Sequence, residues 1–121
     1  MTCACAKLPD SFYLEEGPKG FEAGLAHKET SVPNWRNLMA CRQCGTLWAL
    51  DEWEKYQPQV VSRVRDIAHW DAHSEEERKA LLLRSRGGLT EEKCAWLGCQ
   101  KKKVRGVAHC IDHLYATGAR K

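Results

Sequence analysis

Seven cysteines and one histidine sort this chain into two four-ligand sets, and a chain tied at two such points has few ways to fold. The C-terminal set is Cys94-Ala-Trp-Leu-Gly-Cys99, ten intervening residues, and then Cys110-Ile-Asp-His113. A helix starting at Cys110 puts Cys110 and His113 on one face, where they complete a tetrahedron with Cys94 and Cys99. Zinc suits this set, because a d¹⁰ ion accepts thiolate and imidazole without a redox cost. The other four cysteines are Cys3, Cys5, Cys41 and Cys44. Cys41-Arg-Gln-Cys44-Gly45 is a knuckle in which the glycine lets the backbone turn with positive φ, and Cys3-Ala-Cys5 completes a Cys₄ site. No cysteine is left over, so two structural zinc ions are the expected cofactors. A redox role suits a lone Cys-x-x-Cys better than it suits a complete set. His109 is a rival to Cys110 as ligand, but thiolate is the usual choice beside Cys94 and Cys99.

Size and charge narrow the classes. The chain has 121 residues and a formal charge of +3. Residues 1–60 carry six Lys/Arg against eight Asp/Glu, and residues 61–121 carry thirteen against eight. Such a chain buries a modest core, which two metal sites would supplement. An odd cysteine count in metal-ligand spacing argues against disulfides. No signal peptide and no apolar run long enough for a bilayer is visible, so the expected location is cytoplasmic and no membrane partner is expected.

Local patterns predict an α+β fold in a single compact domain over residues 1–121. Its expected sub-parts are a zinc-ribbon-like pair of β hairpins (1–57), a helical part (58–88) and a C-terminal finger (89–121). Residues 11–14 are a strand candidate. Gly17-Pro18-Lys19-Gly20 marks a turn, and Phe21 onward returns as a strand or loop. Strands are expected over 35–40, entering the knuckle, and 46–50, leaving it. Trp35, Trp48 and Trp53 are read as packing around the metal rather than as a ligand-binding cage. Val60, Val61, Val64, Ile67 and Ala68 recur at three- and four-residue intervals and predict an amphipathic helix after Pro58, its solvent face carrying Arg63, Arg65 and Asp66. Ser74-Glu75-Glu76-Glu77 is a capping box that opens a second helix ending at Gly87-Gly88. Thr90-Glu91-Glu92 opens a last short turn, and Val104-Arg105-Gly106-Val107 reads as a hairpin. A knuckle, a hairpin and a ligand-bearing helix together resemble a treble-clef zinc finger.

Three chemistries beyond structural metal have some footing in the residues. His69-Trp-Asp71-Ala-His73 places two histidines four apart, but the spacing crosses a predicted helix break and lacks the intervening glutamate of a metalloprotease. Lys101, Lys102, Lys103 and Arg105 form the sharpest basic cluster and, on a hairpin tip, would suit phosphate, which makes nucleic-acid binding the second reading. Catalysis has the least support: both sets are fully ligated, and there is no glycine-rich phosphate loop or nucleophile elbow, so no catalytic residue is assigned.

Trp35-Arg-Asn-Leu-Met-Ala-Cys41-Arg-Gln-Cys44-Gly45-Thr-Leu-Trp48, followed by an acidic aromatic segment, resembles small zinc-binding immunity proteins of bacterial polymorphic toxin systems. The resemblance covers about residues 35–56. It implies binding to a cognate toxin protein and inhibition of it, with zinc purely structural. The candidate contact segment is Asp51, Glu52, Trp53, Glu54 and Tyr56, which joins aromatics to carboxylates as interface hot spots do. The alternative is that Trp53 and Tyr56 pack inward and the acids are merely solvated. Inhibitors of nucleic-acid-degrading toxins tend to be acidic. Contact here would therefore use the acidic N-terminal half, or the target is not a basic nuclease.

Overall fold

The computed structural model describes residues 3–55 and 57–119. It is an α+β protein whose chain divides into two compact units, Met1–His73 and Ser74–Lys121.

The first unit is a five-stranded antiparallel sheet: β1 (Ser11–Tyr13), β2 (Leu25–Ser31), β3 (Arg36–Cys41), β4 (Leu47–Asp51) and β5 (Val60–Arg63), in the order β1-β5-β4-β3-β2. Cross-strand register sorts the side chains into two faces. Cys41, Trp48, Leu50, Val61, Phe12 and Leu25 share one face and form the core with Cys5 from a short 3₁₀ turn. Trp48 is fully buried, its ring meeting Phe12 and Phe21 edge-on at 5.8 and 5.5 Å, with the Arg63 guanidinium 4.4 Å from its centroid. The other face holds Arg36, 2% exposed, whose Nη1 donates to the Ala72 carbonyl at 3.0 Å. Its Nη2 donates to the Ala49 carbonyl at 3.1 Å and to Ser62 Oγ at 2.9 Å.

The strands expected at 11–14, 35–40 and 46–50 form. The helix expected after Pro58 does not: residues 60–63 are β5, which pairs with both β1 and β4, and residues 67–69 make a single 3₁₀ turn. Val60, Val61 and Ser62 are buried in succession, so both faces of this stretch are covered. Adjacent β-branched residues suit a two-sided strand, and the three- and four-residue recurrence was coincidental.

The second unit joins α1 (Glu75–Ser85), the hairpin of β6 (Leu89–Lys93) and β7 (Lys102–Val104), and α2 (Ile111–Ala116). Ser74 Oγ accepts from the Glu77 N–H at 3.1 Å, the first half of the expected capping box. Gly87 and Gly88, at φ 94° and 89°, end the helix. Leu82, Val104 and Leu114 are its buried core. Residues 90–92 lie in β6 rather than in a turn, spanning an irregular stretch between Leu89 and Lys93, which pair with Val104 and Lys102 of β7. The expected hairpin at Val104–Val107 is a single turn: the Val107 N–H meets the Val104 carbonyl, Gly106 has φ 80°, and the next element is α2. Lys102 and Lys103 consequently lie within a strand, with Lys101 just before it and Arg105 just after, not at a hairpin tip.

Candidate metal centres

Both predicted ligand sets assemble. The ligand atoms of Cys3, Cys5, Cys41 and Cys44 lie within 4.8 Å of one another, as do those of Cys94, Cys99, Cys110 and His113. All seven thiols are free.

In the second set, His113 Nδ1 stands 3.3 Å from Cys94 Sγ and 3.4 Å from Cys110 Sγ, and Cys99 Sγ is 3.9 Å from Cys110 Sγ. A tetrahedral ion with sulfur at about 2.3 Å and nitrogen at about 2.0–2.1 Å requires ligand separations of about 3.5–3.8 Å. These three separations are within a few tenths of an ångström of that geometry. Local structure explains the placement. Gly98, at φ 82°, bends the loop so that Cys94 and Cys99 converge, while Cys110 caps α2 and His113 follows in its first turn. Burial pushes the Cys94 thiol up. The N–H groups of Trp96 and Cys110 and the neighbouring His113 and Cys99 outweigh that, and bring it down to about 6. Sulfur facing several N–H donors is the electrostatics a thiolate ligand needs. The Trp96 ring stacks on His113 at 4.5 Å and 17°, fixing the imidazole plane. His109 lies outside the four-ligand set and meets the edge of Trp96.

The first set draws Cys41 from the end of β3, Cys44 from the knuckle, and Cys3 and Cys5 from outside the sheet. Gly45, at φ 78°, closes the knuckle, where its N–H meets the Cys41 carbonyl at 2.9 Å. The Thr46 hydroxyl, 3.0 Å from Cys44 Sγ, and the Thr46 N–H bring that thiol down to about 6. The N–H groups of Cys44 and Gln43 lower Cys41 likewise. Cys5 is the opposite case: burial pushes it up to about 12, and the Trp48 indole N–H opposes the rise. Trp48 Nε1 is buried and completes no hydrogen bond of good geometry, which leaves it beside Cys5 as a donor suited to a thiolate there. The residues present fit a metal ion at both places.

The acidic aromatic segment is divided. Asp51 faces inward, with its Oδ1 3.1 Å from Arg36 Nε and its Oδ2 accepting from the Val60 N–H at 3.1 Å. Glu52 Oε1 accepts from Asn37 Nδ2 at 2.7 Å. Trp53 is 70% exposed, Glu54 is half-buried, and Tyr56 lies outside the described residues. Of the three tryptophans expected around the metal, only Trp48 packs in the core beside Cys5 and Cys41; Trp35 is 56% exposed. The basic cluster is paired with acids of its own unit: Lys101 with Asp112, Lys102 with Glu91 at 3.1 Å, and Lys103 with Glu92 at 3.6 Å. Lys101 and Lys79 together hold Asp112 down to about 2. Arg105 Nε reaches the Gly87 carbonyl at 3.3 Å.

His69 and His73 belong to no metal cluster among the described residues. Their segment is a brace instead. Ser31 Oγ donates to Asp71 Oδ2 at 2.7 Å, and His73 Nε2 donates to the Asn34 carbonyl at 2.6 Å. With the Arg36–Ala72 bond, these tie residues 71–73 to the turn between β2 and β3. Sequence reasoning missed Arg36 as the hub of this arrangement. The signal was its place in the alternation Arg36-x-Leu38-x-Ala40, where a core residue is due.

Among the described residues, no helix is long and apolar enough to cross a membrane. Comparison of the chain with protein-family models, curated proteins and solved structures returns no match.

Proposed function

We propose that this chain is a two-zinc protein that acts by binding and inhibiting a partner protein, a bacterial toxin, in a reducing compartment such as the cytoplasm. Zinc is the metal that suits four cysteines in one set and three cysteines with a histidine in the other. Both sets use all four positions for protein ligands, so we assign them to structure and assign no catalysis. On this reading residues 36–51 are a zinc-ribbon-like hairpin closed by its knuckle, and residues 89–119 are a treble-clef-like finger.

The observation that carries a binding role is an exposed apolar surface on a rigid mount. Val32, Trp35 and Trp53 are all exposed, in the turn after β2 and the segment after β4, with Glu52 beside them. Exposed indoles beside a carboxylate, on backbone fixed by a sheet and a metal knuckle, are the make-up of an interface hot spot. The toxin as partner comes from the resemblance of residues 35–56.

The test starts at the gene. A toxin-domain gene immediately upstream supplies the partner for a growth-protection assay. Wild-type protein is expected to protect, and a Glu52→Ala, Trp53→Ala double variant that keeps both metals is expected to lose protection. Absence of such a gene, or of protection by the wild type, overturns the inhibitor reading.

A further inference from the structure

We infer that the cleft between Trp35 and Trp53 receives the cationic end of an arginine or lysine side chain presented by a partner protein. The inference deepens the binding role above and rests on it for the partner being a protein.

The cleft is lined by Thr30, Ser31, Val32, Trp35, Glu52 and Trp53 and has a volume of about 170 Å³. Drug-sized and cofactor ligands need about 300–1,000 Å³, so this space suits one side-chain end. Its walls are indole and its charged lining group is Glu52. A cation over an indole face is attracted by the ring quadrupole, and a carboxylate at the same place adds charge pairing. A phosphate or a nucleic-acid strand meets the wrong sign here, because stacking platforms for nucleic acid are set in basic grooves. Glu52 is held in place: Asn37 Nδ2 donates to its Oε1 at 2.7 Å, and the Glu52 N–H donates to the Trp35 carbonyl at 2.9 Å.

A second observation is independent of composition. Trp35 has φ 53°, and it is the one non-glycine residue with positive φ among the described residues. A bulky residue in that region gives up about 1–3 kcal/mol, which glycine or asparagine would largely avoid. The strain persists because the turn is over-determined. Ser31 is held by Asp71, Asn34 by His73, and Arg36 by Ala72. A strained backbone that directs an indole outward, over a cleft containing a carboxylate, is placed for recognition rather than for folding.

The test uses the zinc-loaded full chain and three capped tripeptides, Gly-Arg-Gly, Gly-Lys-Gly and the neutral Gly-citrulline-Gly. The indole N–H resonances of Trp35 and Trp53 are followed by heteronuclear NMR. Saturable millimolar shifts at both indoles are expected with the arginine or lysine peptide and not with the citrulline peptide. Glu52→Gln is expected to weaken that binding about two- to fivefold, the scale of a surface ion pair alone, because both indoles remain. Trp53→Ala is expected to abolish the shift at Trp35. Trp35→Asn tolerates the left-handed backbone and guards against a merely unfolded variant. Equal shifts from the citrulline peptide, or none from either cationic peptide, overturn the proposal. Peptide shifts without toxin protection leave the cleft standing and remove the inhibitor, and protection without peptide shifts does the reverse.

Discussion

Arg36 and Asp51 are directly opposed across β3 and β4, with Arg36 Nε 3.1 Å from Asp51 Oδ1 on a face where the arginine is nearly sealed from water. The terminal nitrogens of the guanidinium donate to three further acceptors: the carbonyls of Ala49 and Ala72 and the Ser62 hydroxyl. Removing one partner of such a pair strands the other, at about 3–5 kcal/mol. Arg36→Met is therefore expected to lower the unfolding free energy of the metal-loaded protein, measured by urea titration, by that amount. Adding Asp51→Leu to it should recover a large part. A loss under about 1 kcal/mol in Arg36→Met would show that the pair is solvated.

Metal content is the second expectation. Elemental analysis should find two zinc ions per chain. Each ligand set lies within one compact unit. Cys94→Ser or Cys110→Ser should therefore lose one ion and unfold residues 74–121, since site formation and folding are coupled. Amide protection in β1–β5 should survive. One ion per wild-type chain, or intramolecular disulfides by mass spectrometry, contradicts this.

Acid should act late on Asp10. Arg65 at 2.6 Å and Arg63 at 3.0 Å hold its carboxyl below the ordinary range. A carboxylate whose folded pKa is depressed stabilises the fold above its unfolded pKa, and that contribution disappears as pH falls through the folded value. The stability difference between wild type and Asp10→Asn is thus expected to be constant at neutral pH and to vanish in strong acid. Arg63 also donates to the carbonyls of Cys5 and Leu8 at 2.8 and 3.0 Å. Asp10→Asn should therefore also speed release of metal from the first set to a chelator. Identical release rates would separate the ion pair from the metal.

Nucleic-acid binding is expected to be weak. With Lys101, Lys102 and Lys103 each facing an acid of the same unit, few counterions remain to be released. Fluorescence anisotropy with short single and double strands should show no submicromolar affinity. Steeply salt-sensitive tight binding, lost when these lysines and Arg105 become alanine, would put that function first.

What could be read from the residues was set by how local the cause is. The ligand sets, the knuckle strands, the α1 cap and the Gly87-Gly88 stop follow from spacing and backbone chemistry within a few positions. The failures depended on what the fold brings alongside. Val60 and Val61 have helical spacing to Val64 and Ile67, yet β1 and β4 flank them and bury them on both faces. Lys101 to Lys103 looked like a free tip until β6 and Asp112 came alongside. Trp35 and Trp53 looked like Trp48 in sequence, and nothing in a string of letters distinguishes an indole over a metal core from one facing water.

The outer edge of the sheet narrows how any partner can engage. β2 lies at that edge, its residues from His27 to Thr30 exposed, and its register with β3 slips between His27 and Glu29 so that Lys28 bulges. A bulged edge bearing a lysine is a poor template for an added strand, because the incoming backbone loses its ladder where the bulge falls. β-Augmentation at β2 is thereby disfavoured. Recognition would then fall to side chains at the end of the hairpin, so partner choice could change by single substitutions there without disturbing a strand register.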